Sequence, residues 1–94
     1  MNQIISVGII GDFDPNKASH PATNAAIKHA AFRLSFKANI TWLPTPSMLT
    51  RKGQKSLGDF DCLWASSGSP YKSNDGMIEA IEIARKSGKP FIGT

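Results

Sequence analysis

Two short stretches of this chain carry residue types, in an order, that acyl-transfer chemistry can use. The first is Ser66-Ser67-Gly68-Ser69-Pro70-Tyr71-Lys72-Ser73. Gly68 permits backbone geometry that side chains resist, and Pro70 fixes the next bend. Such a loop can present backbone N–H groups to an anion or to a developing oxyanion. The same residue types also suit a plain polar connection between strand and helix. The second stretch is Gly93-Thr94, which closes an apolar run. A nucleophile elbow reads G-x-nucleophile-x-G on a sharp strand-to-helix turn, and Gly93-Thr94 matches its first two positions. Gly-x is common at strand ends, so the pair alone leaves the reading open.

The other reactive side chains point to bland roles. His20 and His29 are the only histidines, and a separation of nine residues does not make a metal pair. Both are expected at the surface or at a helix cap. Asp12 and Asp14 could form a weak cation site, but turn chemistry explains them better. Cys62 falls mid-strand and reads as a small buried apolar residue rather than a reactive thiol. Trp42 and Trp64 fall on strands and should pack the core. No metal site and no cofactor is expected.

The elements that must hold these residues alternate. Ile4 to Ile10 is a short apolar, β-branched run, expected as a strand buried on both faces. Gly11 to Asn16 is turn chemistry. A helix should begin near Ser19 with Pro21 in its first turn, and Asn24, Ile27, Ala31 and Leu34 should share one of its faces. Ala38 to Leu43 reads as a second strand, closed by Pro44 and Pro46. Ser47 to Asp59 can hold a short helix with Met48, Leu49 and Leu57 facing inward. Phe60 to Ala65 reads as a third strand. Asn74 or Asp75 can cap a second long helix that buries Ile78, Ile81 and Ala84. Arg85 and Lys86 suit its C-terminal dipole, Gly88 its C′ position and Pro90 its exit. Pro90 to Gly93 starts a fourth strand. This order argues for a parallel sheet with helices on both faces. Ligands of such sheets bind beyond the carboxyl ends of the strands, where the loops after Ile10, Ala65 and Gly93 would lie.

Composition sets outer bounds. The chain has 94 residues, 40% of them hydrophobic, and a net charge of +4. That is one small domain or part of a larger one. No apolar run approaches the ~20 residues that span a bilayer, and no secretory signal is evident. The single cysteine allows no internal disulfide, so the cytoplasm is the expected compartment. The basic residues form three separate groups, Lys28 to Lys37, Arg51 to Lys55 and Arg85 to Lys89, with no aromatic ladder between them. That pattern suits a solvated surface better than nucleic-acid binding.

Asp61 through Thr94 resembles the class I glutamine amidotransferase domain of CTP synthases. The shared features are Ser67-Gly68-Ser69-Pro70, Asp75-Gly76, and Ala84-Arg85 leading to Pro90-Phe91-Ile92-Gly93. Ser67 stands where the family usually has proline. Val7-Gly8-Ile9-Ile10-Gly11 and Asn24 through His29 match more loosely. A bacterial group related to the CTP synthase C-terminal region, some of them selenoproteins, is the nearest resemblance. It implies a flavodoxin-like three-layer α/β sandwich, of which residues 1–94 would be a single, incomplete domain. It also implies glutamine as the small-molecule substrate and a Cys-His-Glu triad acting through a thioester. By the same resemblance, Gly68 and Ser69 would help form the oxyanion hole, with Pro70, Tyr71 and Lys72 beside the substrate. Gly93 and Thr94 would open the elbow, and the nucleophile, cysteine or selenocysteine, would come next. The 94 residues would then be inactive as given, and their uncovered sheet would favour a homo-oligomer. The alternative is a non-catalytic flavodoxin-like module that binds a small anion or serves regulation.

Overall fold

The computed structural model describes residues 3–66, 72–88 and 90–93. The chain runs β1 (Gln3–Ile10), α1 (Ser19–Arg33), β2 (Phe36–Leu43), a 3-10 turn (Thr45–Leu49), α2 (Arg51–Ser56), a second 3-10 turn (Leu57–Asp59), β3 (Cys62–Ala65), α3 (Asn74–Ser87) and β4 (Phe91–Gly93). The four strands form one parallel sheet in the order β2-β1-β3-β4. The expected α/β sandwich is therefore present. β2 starts two residues earlier than the apolar run suggests. β3 starts two residues later, because Asp61 is taken up by Ser6, whose N–H and hydroxyl both donate to the Asp61 carboxylate at 2.8 and 3.1 Å.

Topology fixes the layers. From the central pair, β1 crosses outward to β2 and β3 crosses outward to β4, in opposite directions. Right-handed crossovers then put α1 and α3 on opposite faces. Strand order reverses between β1 and β3, which makes their carboxyl ends the switch point of the sheet. The register keeps all four ends level. Ile10 pairs with Leu43 on one side and Ala65 on the other, and Ala65 pairs with Gly93.

The core divides between the faces. On the α3 side, Ile10, Leu43, Met48, Leu57, Leu63, Ala65, Met77, Ala80 and Ala84 are buried together. On the α1 side the buried cluster is Val7, Ile9 and Ile27, bordered by half-buried Ala38, Ile40, Trp42, Cys62 and Trp64. The tryptophans thus pack at the margin of the thinner core rather than at its centre.

Several expected inward residues face out. Leu34 is 70% exposed, since α1 ends at Arg33 and its helical phase stops there. Leu49 is exposed while Met48 and Leu57 are buried, because a 3-10 turn places fewer residues on one face than an α-helix. Ile78 is 57% exposed, and the buried stripe of α3 is instead Gly76, Met77, Ala80 and Ala84, with Ile81 half-buried beside it. Gly76 sets that rotation, since a Cβ there would run into the Thr45 carbonyl. The N-cap of α3 is Ser73, not Asn74 or Asp75, and its side chain accepts from the Gly76 N–H at 3.0 Å. Gly88 closes the helix in the left-handed region, φ 74°.

Candidate functional site

At the switch point, the loop leaving β1 and the chain leaving β3 come together. Gly11 makes that approach possible: a Cβ there would meet the Ser66 side chain and lie 3.2 Å from the Trp42 ring. Its N–H donates to the Leu43 carbonyl at 2.9 Å, and the Ser66 N–H donates to the Ile10 carbonyl at 3.0 Å. The ends of β1, β2 and β3 are therefore knit by backbone bonds just beyond the sheet.

Asp12 is the next residue, and its carboxylate accepts three hydrogen bonds. Oδ1 takes the Thr45 N–H at 2.9 Å, and Oδ2 takes the Thr45 hydroxyl at 2.8 Å and the Lys72 N–H at 2.9 Å. Thr45 is fully buried, and its Oγ1 in turn accepts the Ser73 N–H at 2.9 Å. One carboxylate and one hydroxyl thus join the tips of β1 and β2 to the residues that lead into α3. Partial burial pushes the Asp12 pKa up, but the amides of Lys72 and Thr45, the Thr45 hydroxyl and the nearby Lys72 charge outweigh it. The net position is below the ordinary carboxylate value, so Asp12 is ionised at neutral pH. Its oxygens are engaged by donors, and Asp14 Oδ1 accepts the Asn16 N–H at 2.9 Å. The pair Asp12 and Asp14 is turn and tether chemistry rather than a cation site. Among the described residues, no group of three or more His, Cys, Asp or Glu could hold a metal ion.

His29 is exposed, as expected for a surface histidine, but His20 is 2% exposed. Its ring lies 4.8 Å from that of Trp42 and 6.0 Å from that of Phe13, which shield it. Its Nδ1 accepts the Asp14 N–H at 3.0 Å, and Trp42 Nε1 donates to Asn24 at 2.8 Å. This group braces the loop after β1 against α1. Cys62 sits half-buried on β3, and burial, aided by the Asp61 charge, pushes its thiol up and away from reactivity.

Of the expected site residues, Gly68, Ser69, Pro70, Tyr71 and Thr94 lie outside the described residues. Lys72 is placed by its backbone bond to Asp12. Gly93 ends β4 directly beside Ala65. The sequence reading missed Thr45 and the tether role of Asp12. Their partners stand 33 and 28 residues away along the chain, and no local pattern marks such contacts.

No protein-family model matches the chain. CTP synthase of Staphylococcus carnosus is 26% identical over 89 residues, covering 95% of this chain and 16% of its own length. CTP synthase of Sulfurimonas denitrificans is 28% identical over 92 residues, covering 98% of this chain and 17% of its own length. The chain thus spans about a sixth of these relatives. Among solved structures, the glutaminase domain of Trypanosoma brucei CTP synthase with bound acivicin superposes with a TM-score of 0.82 at 16% identity. That match covers 95% of this chain and 35% of the other. In sequence this chain is similar to one stretch of the CTP synthases, and in fold it is similar to the glutaminase domain of one of them.

Proposed function

We propose that this domain serves glutamine hydrolysis, with the loop from Ser66 to Ser73 as its oxyanion and substrate loop and Gly93-Thr94 as the start of its nucleophile elbow. One observation carries this reading. Ala65 and Gly93 are register partners on neighbouring parallel strands, and such strands lie about 4.8 Å apart. The chain therefore leaves β3 toward the loop, and β4 toward the elbow, at one level of the sheet and side by side. A nucleophile two residues past Gly93 would then lie at the same end of the sheet as the exit of β3, the side from which this reading draws its oxyanion donors.

In that chemistry a thiolate or selenolate attacks the carboxamide carbon of glutamine. The loop amides would hold the oxygen that becomes negative. The C–N bond breaks, the nitrogen takes a proton and leaves as ammonia, and water then cleaves the thioester or selenoester to glutamate, returning the thiol or selenol. These 94 residues hold one sulfur nucleophile, Cys62, which is mid-strand with a raised pKa. The 94 residues by themselves are therefore expected to be inactive. The reading includes a cytoplasmic setting, with which a single free cysteine agrees. Nucleic acid is not proposed as a partner, because the basic groups divide between α1 on one face and α2 and α3 on the other.

The test is ammonia release from glutamine by two proteins. One is the 94-residue chain; the other is the same chain extended by cysteine in the slot after Thr94 and by the remainder of a CTP synthase glutaminase domain. The expectation is turnover in the second alone, lost on Cys→Ser in that slot. Absence of turnover in the longer protein, with glutamine or an anion still bound at the 66–73 loop, would favour the non-catalytic module.

A further inference from the structure

Ser66 and Lys72 are both tied to the tip of β1. The Ser66 N–H bonds to the Ile10 carbonyl at 3.0 Å. The Lys72 N–H bonds to Asp12 Oδ2 at 2.9 Å, and the Ser73 N–H reaches Thr45, which Asp12 holds. The first tether is backbone to backbone and indifferent to side chains. The second runs through one ionisable carboxylate, two residues past the end of β1.

We infer that Asp12 is a positioning residue for the chain that enters α3, fixing directly and through Thr45 where Lys72 and Ser73 stand relative to the tip of β1. The reason is chemical. An oxyanion donor works only within a few tenths of an ångström of its target, so a loop used this way needs its exit fixed as well as its entry. A carboxylate accepting amide N–H groups makes the stronger, charge-assisted kind of hydrogen bond. Thr45 is the relay: its hydroxyl donates to Asp12 and accepts from Ser73, and both bonds use the same oxygen. The proposal rests on the glutamine-loop reading for what the positioning serves, though not for the tether itself.

The device depends on ionisation. Protonated Asp12 would present a donor where it now accepts, and at least one of its three bonds would be lost. Lys72 is the charged side chain that acts on it. On the β1 side, Asp14 and His20 are engaged with each other through the Asp14 N–H. The depressed pKa means that the tether holds at neutral pH and is released as pH falls through a midpoint below the ordinary carboxylate range.

The test follows amide resonances of the 94-residue protein against pH. Lys72 and Ser73 are expected to titrate together with the Asp12 carboxylate, at its low midpoint. Asp12→Asn should abolish that titration and speed amide exchange at both residues by roughly tenfold or more. Thr45→Val should do so at Ser73 while leaving Lys72 responsive, and Thr45→Ser should restore Ser73. Should Asp12→Asn fail to fold, the wild-type titration and the Thr45 pair decide the matter. Independence of the two amides from Asp12, or unchanged exchange at Ser73 in Thr45→Val, would overturn the proposal. Adding L-glutamine separates the two readings: an intact titration with no glutamine-dependent shift removes the substrate role and leaves the tether.

Discussion

The two faces of the sheet reach closure to different degrees. On the α3 side nine residues are buried in one cluster, and the 3-10 turns and α2 fill the space beside the helix. On the α1 side the buried cluster has three residues, with Ala31 and His20 buried apart from it, and a groove of about 250 Å³ runs beside the helix, lined by residues such as Ile5, Ala30, Leu34, Trp64 and Ile92. The cause lies in the helices. α3 brings Met77, Ala80 and Ala84 down on the sheet around the close contact of Gly76 with Thr45. α1 is rich in alanine and contributes Ile27 as its one large buried apolar side chain. Parallel strands are apolar on both faces, so a sheet with one thin cover keeps apolar surface in contact with water. The well-packed face also carries the tether that holds the loop entering α3.

Substitutions on the two faces should separate this contrast. The largest effect is expected at Gly76. Gly76→Val puts a branched side chain against the Thr45 backbone, which cannot move without disturbing Asp12 and Ser73. A loss of about 4 kcal/mol in urea-monitored stability is expected. Met48→Ala, at a fully buried position in the dense cluster, should cost about 3 kcal/mol. Ile27→Ala, on the thin face, should cost about 2 kcal/mol, because the groove lets neighbours relax into the space. If Ile27→Ala proved as costly as Met48→Ala, the α1 face would be as well packed as the other. Ser73→Ala removes the cap of α3 and should cost about 1 kcal/mol.

The contrast also marks how far the sequence could be read. Strand and helix order, the parallel sheet and the ends of α3 follow from local signals, because β-branched runs, Gly88 and Pro90 act within a few residues. Helix rotation was less legible. The spacing of Ile78, Ile81 and Ala84 suggests one buried stripe, but the contact of Gly76 with a backbone some thirty residues earlier turns the helix so that Met77 goes in and Ile78 out. The burial of His20 depends likewise on Phe13 and Trp42 meeting over it. The motif residues of the loop were visible as types, whereas the carboxylate that tethers the loop looked like part of a turn. Long-range pairing decided each of these, and periodicity does not encode it.

The smallest expected change in stability tests the open face itself. The groove and the exposed Ile92 and Leu34 should make the 94-residue chain self-associate despite its net charge of +4. Ile92 is 52% exposed on β4, an edge strand, so replacing it with lysine removes little buried area. Ile92→Lys should therefore shift the urea midpoint by less than about 0.5 kcal/mol. It should also place a charge at the rim of the groove and on the free edge, which is how natural sheets discourage pairing. Sedimentation at micromolar concentration should find the wild-type chain as a dimer or larger species and Ile92→Lys shifted toward monomer. A wild-type monomer would mean that the apolar surface left by the Ala-rich helix is too small to drive association. If both proteins stayed equally associated, contact would run through another surface, with the eight-residue edge strand β2 next in line.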